Sequence, residues 1–349
     1  MYGMAENNPC CKKTSIGGQA LIEGVMMRGP KKTCMAVRHI GSGEILTESW
    51  DTTDSKRPRW TKWPLIRGVF AFADSMIVGY KTMMKSADLS GFTELEEEEE
   101  AAKKAEKAAK KAKRKGETVE TPLPTAEEKK EPQKLEGPLM TVLMIVSVIL
   151  GVGLAMLLFM YLPSLLYVHV IRPLAPETFD NRFLQSLFEG LLRIAIFIGY
   201  IVLTALMKDI RRVYMYHGAE HKTIFCYEKN LPLTVENVRL QRRFHPRCGT
   251  SFMILMLIIG VFIGMLIPIG LPPILRSLIK IALLPLSVGL GYEAIKFCGR
   301  HDNWLTRVIA APGTWLQHIT TREPDDDMIE CAITAFEAVI PENEQDDRW

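Results

Sequence analysis

The chain has 349 residues, 48% hydrophobic and 24% charged, with a formal net charge of +3. Charge and apolarity are segregated, since residues 139–161 carry no charge whereas 93–137 hold 24 charged residues in 45. That distribution excludes an ordinary soluble enzyme and a wholly disordered chain, and the near-neutral balance predicts no nucleic-acid partner.

Seven cysteines (Cys10, Cys11, Cys34, Cys226, Cys248, Cys298 and Cys331) form no CxxC pair and are too sparse for a disulfide scaffold. Free thiols in a reducing compartment are therefore expected. The opening MYGMAENNPCCKKTS offers no apolar core of a cleaved signal peptide.

Residues 1–64 read as a cytoplasmic segment containing β-structure. The glycines of SIGGQALIEGVMMRGP point to close backbone approach or positive φ, and Cys34–His39 with Glu44–Trp50 read as a hairpin across Gly41–Gly43. Their spacing matches no Walker A loop. Residues 65–92 come next as an amphipathic or membrane-associated helix. Leu65, Val69, Phe72, Met76, Tyr80 and Met83 recur at helical steps, with Arg67, Asp74 and Lys81 in a narrow polar stripe. A helix lying on the membrane or packed on the bundle is favoured over a fifth span, because three charges in 19 residues are costly in lipid. Residues 93–137 have no apolar face and read as a charged disordered linker.

Residues 138–297 read as a four-helix transmembrane region built from Leu139–Tyr161, Gly190–Met207, Phe252–Gly270 and Ser277–Phe297. Arg193 lies near one end of the second span and is expected to snorkel. The fourth is the weakest, with Lys280, Pro285 and Glu293. Loop 208–251 carries nine Lys and Arg, against Arg172 and Arg182 in 163–189 and Arg276 alone in 271–276. The positive-inside rule places that loop, and with four spans both termini, in the cytoplasm of a multi-pass membrane protein. Residues 298–349 read as a cytoplasmic C-terminal segment with an apolar stretch, Val308–Leu316, and a helix over Met328–Val339. Asp325–Asp327 reads as a solvated turn rather than a calcium loop. The expected fold class is thus an α-helical polytopic membrane protein, about four transmembrane helices with a small α+β cytoplasmic portion.

The chemistry-bearing motif is YHGAEHKTIFCYE, residues 216–228. On a helix His217 and His221 share a face one turn apart with Glu220 beside them, a geometry for two imidazole ligands and a carboxylate base. H-x-x-E-H is also the inverzincin signature. Residues 243–248 supply His245 and Cys248 as further ligands. Glu293, 72 residues beyond His221, and His301 with Asp302 are alternative donors. Glu228 is about 10 Å along the axis from His221, too far for one ion. Equally, the histidines can be interfacial polar residues and Glu220 an ion-pair partner in a basic loop.

GGQALIEGVMMRGP (17–30), LIRG (65–68), HGAEHKTIFCYE (217–228), ENVR (236–239), HPRCGTSF (245–252) and TTREPDD (320–326) resemble the YqhQ-like family of uncharacterised bacterial membrane proteins (domain of unknown function 1385), described as predicted metal-dependent enzymes. The resemblance covers nearly the whole chain except 93–137. It implies that Gln19, Glu23, Arg28, His217, Glu220, His221, His245, Arg247 and Cys248 are signature positions. The likeness to inverzincins is confined to five residues and extends to no feature of their fold.

The first functional expectation is a cytoplasmic-facing metal-dependent hydrolase. A divalent ion, zinc by donor type, sits on His217 and His221 with His245 or Cys248, and Glu220 acts as general base on metal-bound water. Arg28, Arg247 or Arg67 holds an anionic substrate or oxyanion. The alternative is a non-enzymatic membrane scaffold or assembly factor, with all four ligands closing a structural site. A transporter ranks last, since the spans show no broken-helix repeat. The partners expected are the lipid bilayer and an unidentified substrate or protein; oligomeric state is left open.

Overall fold

In the computed structural model, which describes residues 12–52, 58–96, 102–103, 138–301, 303–343 and 346–347, the glycine-rich segment and the hairpin after it join in one antiparallel meander. Strands β1 (Gly17–Leu21), β2 (Gly24–Arg28), β3 (Lys32–Arg38) and β4 (Ile45–Asp51) lie in the order β1-β2-β3-β4. The β3–β4 register, from Arg38 opposite Ile45 to Lys32 opposite Asp51, is the expected hairpin. Most of the expected linker 93–137 lies outside the described residues, as do Cys10, Cys11 and Asp302.

The central strands are covered on both faces, so their apolar residues run nearly without interruption. Val25, Met27, Cys34 and Ala36 face one core, and Met26, Met35 and Val37 face the other. Helix α1 (Ile66–Leu89) covers the second face with Val78, Met83 and Leu89. It also packs along a later helix, where Arg67 and Glu293 form a two-pronged ion pair at 2.7 and 2.5 Å. The predicted 65–92 helix therefore rests on sheet and bundle together.

Helix α2 (Pro138–Met156) continues through two π-helical stretches, Leu157–Tyr161 and Tyr167–Ile171, to Leu174. Helix α3 (Arg182–Thr204) starts eight residues before the expected span because Asn181 caps it, its side chain accepting from the Phe183 N–H at 2.8 Å. That start corrects the reading of Arg193, which sits mid-helix, 6% exposed, rather than snorkelling from an end. A break at Ala205–Met207 separates α3 from α4 (Lys208–Glu228), and α5 (Val235–Arg239) starts under a Thr234 cap. The segment 208–251, read as a loop, is thus mostly helical.

Helix α6 (Gly249–Gly264) replaces the expected clean span Phe252–Gly270. Its 16 residues rise about 24 Å, short of a hydrocarbon core of roughly 30 Å. The expected fourth span is two helices, α7 (Pro273–Ala282) and α8 (Leu284–Arg300), bent by 46°. Helices α9 (Trp304–Thr320) and α10 (Asp326–Glu337) complete the chain, α9 opening with a capping box between Asn303 and Thr306. The chain is mostly helical with one small sheet. Among the described residues two helices, Ile145–Leu174 and α3, are long and apolar enough to cross a membrane, or three if the bent α7–α8 pair counts as one.

Two apolar clusters hold the elements that meet at the histidine motif. Tyr216, Ala219, Ile224 and Cys226 of α4, with Met328, Ile329, Ala332 and Phe336 of α10, cover the first face of the sheet. Ile201 of α3, Ile254 of α6 and Leu316 of α9 form the second cluster. Helix α4, the Cys248 end of α6 and the last turn of α9 meet where these two halves join.

Candidate metal centre

Successive residues of His217-Gly218-Ala219-Glu220-His221 face different neighbours, because a helix turns about 100° per residue, while the two histidines, four apart, return to one face. Ala219 enters the sheet core. Gly218 lies under the chain leaving α9, where a Cβ would collide with the Arg322 carbonyl oxygen. That close passage delivers the Thr320 carbonyl to His217, and a bond of 2.8 Å from the Arg322 N–H to Tyr214 O secures the segment. Glycine is therefore required at 218.

Thr320 O lies 2.8 Å from Nδ1 of His217, and Arg243 O lies 2.5 Å from Nδ1 of His221. A carbonyl only accepts, so both Nδ1 atoms carry protons, and both Nε2 atoms are left for the far side of the rings. There stands Cys248, its sulfur 3.1 Å from His217 Nε2. Donor atoms of His217, His221 and Cys248 all lie within 4.8 Å of one another, and all three residues are buried. Cys248 is also the N-cap of α6, accepting from the Thr250 N–H at 3.4 Å, so the helix dipole favours its thiolate.

Burial opposes charge on His217, but the Cys248 thiolate and Glu220 outweigh it and hold the imidazole up to about 9. Burial likewise pushes the Cys248 thiol up, and the His217 and His221 charges overcome it, leaving the sulfur well below its ordinary value. For Glu220 burial wins: its carboxyl is raised despite the attraction of His217 and His221 and a bond from the Gly18 main-chain N–H.

Two imidazole nitrogens and one thiolate suit zinc in donor type. Zinc–ligand bonds of about 2.0–2.3 Å in a tetrahedral site set donor separations of roughly 3.3–3.8 Å, so the trio fits after side-chain shifts of about 1 Å. The carbonyl-anchored Nδ1 atoms are the usual support for metal-binding imidazoles.

His245 is brought near but turned elsewhere. Gln317 grips its main chain in both directions, Oε1 accepting from the His245 N–H at 2.7 Å and Nε2 donating to its carbonyl at 2.8 Å. Its ring stands 5.6 Å from that of His221, with Nε2 3.7 Å from Glu228 and 3.4 Å from Arg247. Arg247 is itself paired with Glu228, whose carboxylate also accepts from the Thr14 N–H at 3.0 Å.

The remaining sequence candidates lie apart from the trio. Glu23 ties the β1–β2 turn to α4 through Arg212 and Tyr216. Gln19 lies against Gly79 of α1, and Arg28 lines a cavity of about 500 Å³ with Gly18, Gln19 and Ser75. Glu293 is held by Arg67. His301 is exposed, its ring tilted at 31° against Phe297 with a 4.4 Å separation. Sequence reasoning missed Thr320, Arg243 and Gln317, which act through main-chain or amide groups that no motif spacing advertises. It also missed Glu189, Arg276 and Lys280, which meet inside the helical half. Ionisable residues within apolar segments were the available signal.

Residues 63–342 match the DUF1385 family, described as a protein of unknown function, and the chain belongs to that family. It is also 32% identical to the uncharacterized protein YqhQ of Bacillus subtilis (strain 168) over 327 residues, covering 93% of this chain and 92% of the relative. No solved structure matches. Neither description carries an activity, so the metal-dependent chemistry implied by the resemblance rests on the geometry of the site alone.

Proposed function

We propose that the chain is a multi-pass protein of a bacterial inner membrane that uses a cytoplasmic-facing zinc site as a metal-dependent hydrolase. Embedding is supported by the apolar, solvent-exposed surface of α2, including Ile145, Val148, Ile149, Leu150 and Leu154. In this reading α2, α3, α6 with its exit turn to Ile267, and the α7–α8 pair cross the bilayer. The nine basic residues of 208–251 keep that segment and both termini on the cytoplasmic side.

One observation carries the metal reading. Both imidazoles hold their Nδ1 protons against main-chain carbonyls, His217 Nε2 stands 3.1 Å from the Cys248 sulfur, and donor atoms of all three residues lie within 4.8 Å of one another. His217, His221 and Cys248 would hold the ion, which when bound would supply Lewis acidity and lower the pKa of a water. Three protein ligands leave a coordination position for chemistry, whereas a structural site closes with four. Glu220, adjoining the trio, would be the group placed to accept a proton as general base.

The burial of all three ligands favours a second reading, a structural ion in a membrane scaffold or assembly factor that pins α4, α6 and the α9 exit together. Elemental analysis of the detergent-purified chain tests both. About one zinc per chain is expected, lost in the His217→Ala, His221→Ala double variant; a stable wild-type protein without metal overturns either reading. Glu220→Gln separates them. Under the hydrolase reading it retains zinc and loses hydrolysis of p-nitrophenyl ester probes, and under the scaffold reading wild type hydrolyses none.

A further inference from the structure

Helices α2, α3, α6, α7 and α8 enclose a cavity of about 610 Å³, in the size range of small-molecule sites. Leu154, Leu158, Phe197, Met256 and Leu257 contribute apolar walls, and Arg193 and Lys280 bring charge to its edge. Two cations on an otherwise hydrocarbon-lined space are costly unless something neutralises them.

The charges around the cavity do not balance. Glu189, 1% exposed, accepts from Arg276 Nε at 3.0 and 3.2 Å, from Lys280, and from Gln185 at 3.0 Å. Arg276 is further occupied by Ser186 Oγ at 3.1 Å and Pro268 O at 3.1 Å. One carboxylate thus serves Arg276 and Lys280, and among the described residues no carboxylate pairs with Arg193. Arg193 is buried, and its Nε donates at 2.8 Å to Phe159 O, a carbonyl in the π-helical stretch of α2 where the ordinary helical ladder is relaxed. Its NH1 stands beside Gly260, which also lines the cavity. The guanidinium is anchored at one edge and presents its remaining donors to the space.

We propose that this cavity binds one anionic amphiphile, its acidic headgroup on Arg193 beside Lys280 and its hydrocarbon chain against α2 and the apolar wall. The proposal rests on the chain being membrane-embedded but not on the metal. The planar guanidinium supplies the paired donors that a phosphate or carboxylate accepts. Small residues on α2 at the cavity, Gly151 and Ala155, leave room for entry from the lipid side.

The full chain, purified in detergent and stripped of lipid, is titrated with phosphatidylglycerol, oleate and phosphatidylcholine and read by native mass spectrometry. One tight site is expected for an anionic lipid, about 10-fold or more over phosphatidylcholine. The phosphatidylglycerol and oleate arms tell a phosphate headgroup from a carboxylate. Arg193→Gln removes the preference and Arg193→Lys restores part of it. Ala155→Trp, on an exposed face of α2, obstructs the mouth and abolishes single-site binding even if the Arg193 variants fail to fold. Equal binding of all three lipids, an undiminished preference in Arg193→Gln, or undiminished binding in Ala155→Trp overturns the proposal. Resistance of membrane association to alkaline carbonate reads the embedding separately, so failure of one is distinguishable from failure of the other.

Discussion

Gly18 of β1 and Glu220 of α4 are in such close contact that a Cβ on residue 18 would stand 2.9 Å from the Glu220 carboxyl carbon. The same Cβ would meet Met26 O at 2.8 Å, and backbone does not yield as a flexible side chain does. The glycine-rich strand thereby forms one wall around the carboxylate proposed as base. Gly18→Ala is expected to destabilise the protein by about 1–3 kcal/mol through overpacking. It should leave bound zinc intact, since Gly18 touches none of the three ligands' donor atoms. Thermal unfolding in detergent and elemental analysis check this; an unchanged midpoint would show that the wall gives way freely.

The metal should stabilise the fold, because the trio joins α4, α6 and the α9 exit only in the native state. An ion at 100 times its dissociation constant contributes about 2.7 kcal/mol. Stripping with a chelator is expected to lower the unfolding midpoint by several degrees and added zinc to restore it. The His217→Ala, His221→Ala variant should show no response to either reagent.

Acid stability is expected to depend on His245. Burial, aided by the charges of His221 and Arg247 and opposed by Glu228, pushes this imidazole down to about 4. Between that value and the ordinary 6.5 the unfolded chain binds more protons than the folded one, so stability falls as pH falls through this window. The loss is on the order of 3 kcal/mol for a fully buried ring. His245→Asn should flatten that part of the profile of midpoint against pH, and an unaltered profile would place the acid sensitivity elsewhere.

Glu23 occupies the left-handed region, φ 50°, at the β1–β2 turn while its carboxylate takes both Nε and NH2 of Arg212 at 2.5 Å. Removing the side chain and relieving the backbone are separable. Glu23→Ala loses the ion pair and keeps the unfavourable φ; Glu23→Gly loses the pair but tolerates the conformation. The alanine variant is expected to be less stable than the glycine variant by about 1 kcal/mol, measured by denaturant unfolding.

Where spacing carries the information, the sequence was sufficient. The β3–β4 hairpin comes from apolar runs around a glycine turn, and the shared face of His217, Glu220 and His221 comes from helical periodicity. Hydropathy did less well with lengths. It merged α6 with the Met265–Gly270 exit because it does not register where a helix stops, and it began α3 too late because Glu189 and Arg182 read as loop residues. The burial of Glu189 depends on Arg276 and Lys280, roughly ninety positions away, and no local pattern predicts that encounter. His245 is the instructive case: its distance along the chain from Cys248 suits a ligand pair, but Gln317 fixes its backbone so that the ring faces Glu228.

The aim of both imidazoles is set by peptide oxygens, at Thr320 and at Arg243. Identity of the side chain at either position is therefore immaterial to ring direction, and what matters is the path the chain takes to reach it. Loss of a single residue from 240–247 or from 320–325 would swing a carbonyl away and scatter the donor set, although every ligand were still encoded.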